Sequence, residues 1–496
     1  MRRSLLTPLA CAALLAPLPA RALLGDKFPF VQDGPVIVGV TSTDAWVTWY
    51  TAHHQGTGTT CSLDGSDNTT IPTLTLSLNS QVQSQFLDAS CAREHKVRLT
   101  GLSPGTKYTF TLDKPWDKQG GATAAGSFTT APAPGSRAGF KFVVYGDTRN
   151  RFIGQGGDTK ADHQALVAAI QANEGDAAFL LHTGDLALNI SVISGDDNGY
   201  TEFFSVERGL LANKPLFVVL GNHETMGTGF FDSLLDPARY NGSAHPYYSS
   251  LDWGPVHVAL VDAFEGPHNL ATGNAPAVSG AQVQWLTEDL RHAQATGQLS
   301  FVGVHQGAYS HAMTSTGHGG LADIAANVVP LMLQFGVLGS FAGHDHYYQR
   351  GHEGCIDYLV VGGGGATMYD PDPAAAGVLA AQKKTSYVSV TVTADGKATA
   401  VARDPSGAAL DTFTFTAPPS SCLADGGAPL VPDAGADAGD GGGADAGADS
   451  GVGNPPDAGN GGPTGSTGCA STGPVALQLG LFFGALALVR RRRAQR

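Results

Sequence analysis

Residues 216–224 have the sequence Leu216-Phe217-Val218-Val219-Leu220-Gly221-Asn222-His223-Glu224, and this stretch decides the fold class. Five consecutive apolar residues predict a buried β-strand, and Gly221 marks its end. Asn222, His223 and Glu224 follow at once, and amide, imidazole and carboxylate groups are metal-ligand types. Because ligands in open α/β sheets bind outside the carboxyl ends of strands, the stretch indicates an α/β fold with a site at that edge.

Four further segments repeat this arrangement of an apolar run followed by polar residues. They are Gly146-Asp147, Gly184-Asp185, His305 and Gly343-His344-Asp345-His346. One such segment would carry little weight, because Gly, Asp and Asn are common in loops. Five in one chain, placed after predicted strands, indicate that the polar groups converge on one edge.

Strands and helices alternate from about residue 138, which is typical of an α/β layered domain. The predicted strands are Gly139–Tyr145, Ala177–His182, Leu216–Leu220, Val256–Val261, Ser300–Val304 and Val337–Ala342. The predicted helices are Lys160–Asn173 and Ala281–Gln294, and the predicted final strands are Tyr387–Val392, Ala398–Ala402 and Asp411–Phe415. We therefore predict one α/β layered domain over residues 138–417.

The region ahead of it, residues 34–132, is predicted to be a small all-β sandwich. Its candidate strands are short, rich in β-formers and separated by turn residues; they are Val36–Val40, Ala45–Trp49, Lys96–Leu99 and Tyr108–Leu112. The segment Leu102–Tyr108 closely resembles the turn and tyrosine corner of fibronectin type III modules. We therefore expect a fibronectin type III-like domain before the α/β domain.

The N-terminus has the features of an export signal over residues 1–22. Arg2 and Arg3 precede an apolar run from Leu5 to Leu18, and Ala20-Arg21-Ala22 provides a small-x-small cleavage site. In an exported chain the pairs Cys61/Cys91 and Cys355/Cys422 are candidate disulfides. The sequence thus predicts an exported protein, at the outer surface or secreted.

The C-terminus is predicted to form a tether and an anchor. Residues 423–468 are rich in Ala, Gly, Asp and Pro, a composition that cannot bury a core and so predicts a disordered linker. Residues 469–496 contain the uncharged run Gly473–Val489 and then Arg490–Arg493, which predicts a short membrane segment with a cytoplasmic end. Cys469, the apolar run and the arginines resemble the sorting tails of myxobacterial surface proteins, which implies processing near Cys469.

The charge of the chain says little about its substrate. The formal net charge is -14, which argues against a general nucleic-acid binder, and we expect no specific nucleic-acid binding. Seven of the aspartates lie within residues 423–470, so the folded part is only mildly acidic. Oligomeric state is open.

The converging segments predict a centre for two metal ions. The candidate ligands are Asp147, Asp185, Asn222, His305, His344 and His346. Two cations ~3.5–4 Å apart need a shared anionic ligand, and mixed imidazole and carboxylate ligands suit Fe, Zn or Mn. The absence of a nearby thiolate argues against a structural zinc site.

In this order, the five segments resemble the motifs of the calcineurin-like metallophosphoesterase superfamily. The β-sandwich ahead of them makes the chain similar to the purple acid phosphatases, and the resemblance covers roughly residues 34–417. It implies a β-sandwich flanked by helices, with Asp185 bridging the two metals. It also implies that Asp147 and His346 bind the first metal, that Asn222, His305 and His344 bind the second, and that His223 acts as a proton donor or stabilises charge.

The activity implied by the resemblance is hydrolysis of a small phosphomonoester by in-line attack of a metal-bound hydroxide. Two alternatives stay open. A phosphodiesterase acting on nucleotides or glycerophosphodiesters would use the same metals. A degenerate scaffold that serves as a surface binding protein would have lost the chemistry.

Two positions depart from the family pattern. Purple acid phosphatases have a tyrosine where this chain has Leu188, so we predict a colourless protein. Many other members have a histidine where this chain has Arg149, so the first metal is one protein ligand short of either pattern unless water, Asn189 or another group fills the position. Arg149 is either a bidentate ligand for a substrate phosphate or a partner in a surface or interdomain ion pair.

Four other histidines and one glycine run have less specific interpretations. His182 is expected to be a buried hydrogen-bonding group, and His163 to be solvated on its helix. His311 and His318 are expected to lie in a flexible surface loop; the alternative is a role in the site, because related phosphatases carry substrate-contacting groups in this loop. The run Gly362–Gly365 lacks a Gly-Lys-Ser/Thr ending, so we predict a tight strand-to-loop turn rather than a phosphate-binding loop.

Overall fold

The computed structural model describes residues 31–51, 73–87, 94–115, 123–149, 159–188, 199–226, 229–235, 247–267, 274–313 and 317–422. The predicted signal peptide, the pair Cys61/Cys91, the linker and the C-terminal anchor lie outside these residues. Within the described ranges, no helix has the length and apolar character that a membrane span requires.

The strands that the structure describes fall into three sheets. They are β1 Val31–Val38, β2 Ala45–Thr51, β3 Thr73–Leu78, β4 Gln81–Leu87, β5 Glu94–Leu99, β6 Lys107–Pro115, β7 Thr123–Thr129, β8 Phe140–Tyr145, β9 Leu180–His182, β10 Leu216–Val218, β11 Ser249–Trp253, β12 Val256–Val261, β13 Leu299–Val304, β14 Gly339–Ala342, β15 Tyr348–Glu353, β16 Ile356–Val361, β17 Val378–Gln382, β18 Tyr387–Val392, β19 Ala398–Arg403 and β20 Ala409–Thr414. The helices are α1 Thr159–Asn173, α2 Tyr200–Leu211, α3 Gly229–Asp232, α4 Gly280–Ala295, α5 Ala322–Asn327 and α6 Val329–Gln334.

Two large sheets form the centre of the fold. Among the described strands, one sheet has the order β20-β19-β18-β8-β9-β10-β1-β2-β5 and the other has the order β11-β12-β13-β14-β16-β15-β17. β8, β9 and β10 run parallel in the first sheet, as do β12, β13, β14 and β16 in the second. These strands are almost continuously apolar, because both faces of a parallel sheet are covered.

The two sheets pack face to face through a shared aromatic core. Phe142 of the first sheet lies 6.1 Å from Phe301 and 6.0 Å from Phe341 of the second, measured between ring centroids. Side chains of α1 and α2 cover the outer face of the first sheet, and those of α4 to α6 cover the second. The predicted β-sandwich flanked by helices is therefore confirmed.

The N-terminal strands belong to two sheets. β1, β2 and β5 extend the first large sheet, where Val38 of β1 pairs in parallel with Leu216 of β10. β3, β4, β6 and β7 form a separate four-stranded sheet. The Tyr108 hydroxyl accepts the Ser103 N–H at 2.9 Å, which is the contact expected of a tyrosine corner. A fibronectin type III-like domain over 34–132 stays a prediction.

One of the two candidate disulfides lies within the described residues. Cys355 and Cys422 are bonded with an S–S distance of 2.05 Å. Cys355 occupies the turn between β15 and β16, so the bond ties that hairpin to the end of the described chain.

Candidate metal centre

Each candidate ligand follows a strand, and the parallel strands bring the ligands to one edge. Asp147 comes after β8, Asp185 after β9, Asn222 after β10, His305 after β13 and His344 after β14. His346 follows in the same loop as His344. Apart from the partly buried Asn222, all of these side chains are buried.

Three of the ligand positions have an unusual backbone conformation. Asp147, Asp185 and His344 have φ values of 59°, 57° and 70°, which lie in the left-handed region. Non-glycine residues in this region cost ~1–3 kcal/mol and cluster at functional sites. Backbone hydrogen bonds hold two of them in place, because Asp147 N–H donates to Gly184 O at 3.0 Å and Arg149 N–H donates to Asp185 O at 3.1 Å.

The second group of ligands, defined as Asn222, His305 and His344, is compact. Asn222 Oδ1 lies 3.0 Å from His344 Nδ1 and 3.2 Å from His305 Nε2, and the two ring nitrogens are 3.2 Å apart. Asp185 Oδ1 lies 3.3 Å from His305 Nε2. Four potential metal-ligand atoms therefore lie close together.

Hydrogen bonds behind the centre fix which ring nitrogens face it. His305 Nδ1 donates to Thr183 O at 2.7 Å and His346 Nδ1 donates to Thr367 O at 2.7 Å. Since a carbonyl oxygen only accepts, these nitrogens carry protons, so that a neutral ring, which is the form that binds a metal, presents its lone pair at Nε2. The lone pair of His305 faces the Asp185 carboxylate, which is also an acceptor. Acceptors that face one another at this distance fit a cation between them.

The first group, defined as Asp147, Asp185 and His346, is wider. One ligand atom from each residue lies within 4.8 Å of the others, and His346 Nε2 is 3.5 Å from Asp147 Oδ1. His344 N–H donates to both oxygens of Asp147, at 3.1 and 3.0 Å, which orients that carboxylate. Asp185 contributes to this group and also contacts the second, so it lies between the two.

Arg149 lies at the centre rather than at the surface. Only 4% of it is exposed, and its Nε is 3.5 Å from Asp185 Oδ2. The surface ion pair considered from sequence is therefore wrong, because the guanidinium is buried beside the carboxylate shared by both groups.

His223 lies on the same side of Asp185 as Arg149. Its Nδ1 donates to Leu188 O at 2.7 Å, which leaves Nε2 facing the centre, 3.7 Å from Asp185 Oδ2. Its backbone N–H donates to Asp185 Oδ1 at 3.1 Å. His223 is thus positioned beside, and not within, the two groups of ligands.

Electrostatics favours neutral imidazoles around an ionised Asp185. Burial and then the Arg149 charge lower the pKa of His346 to about 4, and burial lowers the pKa of His223 to about 4. Burial raises the pKa of Asp185, but electrostatic interactions with the neighbouring basic groups, of which Arg149 carries a permanent charge, outweigh burial and lower the pKa. Neutral imidazole and ionised carboxylate are the forms that bind metals.

Glu224 is a residue of the site that sequence reasoning left without a role. Its carboxylate is fully buried and accepts three backbone N–H groups, from Asp185 at 2.9 Å, Leu186 at 2.9 Å and Gly221 at 2.8 Å. These bonds join the loop after β9 to the loop after β10. Glu224 therefore holds Asp185 in register with Asn222 and His223.

Glycines allow the ligand loops to approach one another closely. A Cβ at Gly364, in the run Gly362–Gly365, would collide with the carbonyl oxygen of Gly146, and a Cβ at Gly221 would collide with Asp185. The run follows β16 directly and packs against the loop that carries Asp147. The predicted change from strand to loop after β16 is confirmed, and the close packing of this loop explains the need for glycine.

Two aromatic rings cover the histidines of the last ligand loop. The His318 ring lies 4.1 Å from that of His344, and the Tyr369 ring stacks on His346 at 4.3 Å. His318 therefore belongs to the site. Tyr369 was missed from sequence, because nothing in its local sequence distinguishes it from other loop tyrosines.

The other histidines have structural partners. His182 is buried with Nε2 3.1 Å from Thr148 Oγ1, as predicted. The prediction for His163 was wrong, since it is 1% exposed and its Nε2 lies 2.9 Å from Glu207 Oε1. Helix α2, which supplies Glu207, covers that face of α1. His311 pairs with Glu353 at 2.9 Å.

A family model matches the part of the chain that carries this centre. Residues 140–348 match the family of calcineurin-like phosphoesterases, so the chain contains a calcineurin-like metallophosphoesterase domain. That family indicates a hydrolase and typically binds two metal ions. No curated protein matches the chain.

Two solved structures share its architecture. A purple acid phosphatase from yellow lupin (Lupinus luteus) seeds is similar with a TM-score of 0.58 and 18% identity, over 78% of this chain and 74% of that one. The structure of PhoD is similar with a TM-score of 0.56 and 12% identity, over 78% of this chain and 89% of that one. At sequence identities this low, the similarity shows a shared fold alone.

Proposed function

We propose that this chain is a dinuclear metal-dependent phosphoesterase that hydrolyses small phosphomonoesters. The observation that carries the proposal is the position of Asp185. Its carboxylate belongs to one group with Asp147 and His346, and its Oδ1 lies 3.3 Å from His305 Nε2 of the other. A buried carboxylate between two sets of lone pairs is the feature that a pair of cations requires.

The residues present fit such a pair. Asp147, Asp185 and His346 would hold one ion, and Asn222, His305 and His344, with Asp185, would hold the other. Imidazole, amide and carboxylate ligands suit Fe, Zn or Mn. Two bound cations would supply an activated water and neutralise charge on the phosphoryl group.

We propose that His223 donates a proton to the oxygen of the leaving alcohol. Its Nδ1 is committed to Leu188 O, so Nε2 is the atom that faces the reacting groups. Its pKa of about 4 keeps the free imidazole neutral at pH 7. A bound phosphate dianion would raise that pKa, because an opposite charge favours the protonated form. A proton on Nε2 would then be available to the leaving oxygen.

Arg149 favours a monoester over a diester. A phosphomonoester carries up to two negative charges at neutral pH, whereas a diester carries one. The guanidinium is buried beside Asp185, where a fixed cation interacts more strongly with a dianion than in water. A planar guanidinium also matches two phosphoryl oxygens at once.

A direct comparison of two substrates tests the proposal. The full chain, supplied with Zn, Mn or Fe, is expected to hydrolyse p-nitrophenyl phosphate faster than bis(p-nitrophenyl) phosphate. Asp185→Asn and His223→Ala should each reduce kcat/KM by ~100-fold or more. Asp176→Asn and His352→Ala are matched controls on exposed residues away from the centre and should retain the rate.

The other outcomes select the alternatives. A faster diester reaction would favour a phosphodiesterase on nucleotides or glycerophosphodiesters. Near-normal hydrolysis by Asp185→Asn would contradict the mechanism. No hydrolysis with any of the metals would favour a degenerate scaffold that acts as a surface binding protein.

We also propose that the chain is exported and that its C-terminal segment tethers it at the outer surface. The Cys355–Cys422 disulfide supports this, because disulfides persist mainly in oxidising compartments. In intact cells, added protease should remove the enzyme from the surface fraction. Protection from protease until the cells are lysed would contradict the proposal.

A further inference from the structure

The two groups of ligands differ in the spacing of their ligand atoms, and the permanently charged guanidinium of Arg149 lies beside them. We propose that Arg149 makes the two groups unequal, so that the second group binds one cation tightly and the first group binds its cation at least ~10-fold more weakly until an anion arrives. The inference rests on the dinuclear centre proposed above. It concerns how this particular centre fills, and not which ester it hydrolyses.

The second group is already arranged for a cation. Asn222 Oδ1, His305 Nε2 and His344 Nδ1 lie 3.0 to 3.2 Å from one another. The position of His305 is fixed by its hydrogen bond to Thr183 O at 2.7 Å. Little rearrangement is needed to bind an ion, and preorganised ligands bind more tightly.

The first group is both wider and closer to positive charge. His346 Nε2 and Asp147 Oδ1 are 3.5 Å apart, a looser spacing than any within the second group. Of the two Asp185 oxygens, Oδ1 faces His305 at 3.3 Å and Oδ2 faces Arg149 Nε at 3.5 Å. The oxygen left for the first group therefore shares its negative charge with a guanidinium.

The guanidinium of Arg149 is buried and cannot lose its charge. Its side chain is 5% exposed, and its backbone N–H donates to Asp185 O at 3.1 Å. A guanidinium remains protonated throughout the pH range in which proteins fold. A second cation must therefore enter next to a fixed like charge in a buried site, where Coulomb repulsion is only partly screened.

An incoming phosphate removes this obstacle. Its negative charge offsets that of Arg149, and its oxygens supply ligands that the first group lacks. The protein would then rest with one ion bound and complete its centre when phosphate or an ester enters.

Metal binding without any ester tests the inference. The metal-free full chain is titrated with Mn²⁺ in phosphate-free buffer, with equilibrium dialysis for the two affinities and electron paramagnetic resonance to distinguish isolated from coupled ions. We expect two dissociation constants that differ ~10-fold or more in the wild type. Arg149→Gln should reduce the ratio of the two dissociation constants by ~10-fold without changing the smaller constant. Arg149→Lys keeps the charge and should therefore keep the wild-type ratio.

Two further measurements identify the weak position and avoid reliance on one variant. Asp147→Asn should abolish only the weak binding. Inorganic phosphate added to the wild type should strengthen the weak binding and increase the coupled signal. Two equal Mn²⁺ dissociation constants in the wild type would overturn the inference. So would a ratio of the two constants that neither Arg149→Gln nor added phosphate changes. A chain that shows the difference but hydrolyses no ester would refute the proposed function alone.

Discussion

Asp345 Oδ1 accepts the backbone N–H of His318 at 2.7 Å, although Asp345 stands between two ligand histidines. Its Oδ2 accepts Ser310 Oγ at 2.5 Å, and Tyr347 Oη lies 2.6 Å from the same hydroxyl. Asp345 thus belongs to neither group of candidate ligands and holds the loop that carries His318. The ring of His318 covers His344 as a result.

This relationship predicts that the loop positions substrate. Ser310→Ala should lower kcat/KM for a phosphomonoester by ~5–30-fold, because a lost, partly buried hydrogen bond to a carboxylate costs ~1–2 kcal/mol. Metal content should stay unchanged, since Ser310 contacts no candidate ligand atom. Kinetics and metal analysis on one preparation check this, and a loss of metal would show instead that the loop supports the centre itself.

Glu224 is predicted to be required for assembly of the centre. Glu224→Gln places an amide N–H₂ against backbone N–H donors, so at least one of the three hydrogen bonds is lost at a cost of ~1–3 kcal/mol. We expect a lower Tm and reduced metal content. Glu288→Gln, on an exposed residue of α4, is the matched control. A Glu224→Gln protein with normal Tm and metal content would contradict this account.

Gly364 is predicted to tolerate no side chain. A Cβ there would collide with the carbonyl of Gly146, next to Asp147, so Gly364→Ala should displace that ligand loop. Strain of this kind costs ~1–3 kcal/mol, and metal occupancy should fall with it. Gly280→Ala is the matched control, because nothing lies within 4 Å of the added Cβ. Equal metal content in both variants would argue against close packing of the ligand loops.

A pH dependence of stability is predicted away from the centre. His257 is 2% exposed and lies between Asp252 and Asp289, at 2.9 Å from each. Burial lowers its pKa, but the two carboxylates outweigh burial and raise the pKa to about 9. Its stabilising effect is therefore fully present below pH ~6.5 and is lost as the pH rises through about 9.

The free energy of unfolding should fall by about 2 kcal/mol over this pH range. This is less than the full pKa shift would give, because Asp252 is largely exposed and its charge is screened by solvent. Urea unfolding at pH 6 and pH 10 measures it. His257→Gln should flatten the difference, and a variant with the same pH dependence as the wild type would rule out His257 as its source.

The protein is predicted to be colourless when it contains iron. Leu188 provides no phenolate, and its backbone carbonyl instead accepts the Nδ1 hydrogen of His223. A visible spectrum of the iron-loaded protein decides this, and a purple colour would mean that another phenolate reaches the metal.

The strands around the centre could be predicted from sequence because both faces of each are buried. β8, β12 and β13 are largely apolar, with one polar residue in each (Lys141, His257 and Ser300), and Asp147 and His305 follow β8 and β13 at the site edge. The hairpin of β15 and β16 was not predicted, because Tyr348-Gln349-Arg350-Gly351-His352-Glu353 lacks both an apolar run and alternation. Its partner strands, and not its own pattern, determine its conformation.

The candidate ligands could be predicted because each of them follows a recognisable apolar strand. The residues that support the ligands could not be predicted in this way. Glu224 acts on Asp185, which is 39 residues away in the chain, and Asp345 acts on His318, which is 27 residues away. Such contacts exist only once the loops have been brought together. The environment of Arg149 likewise depends on how far the loop after β8 lies from the protein surface.

Metal content measured together with hydrolysis, on the same preparations of wild type and Asp185→Asn, tests the central claim most directly. We predict up to two metal ions per wild-type chain and hydrolysis of p-nitrophenyl phosphate, with both the metal content and the activity sharply reduced by Asp185→Asn. Unchanged activity in Asp185→Asn, or a wild type that binds no metal and hydrolyses neither ester, would contradict it.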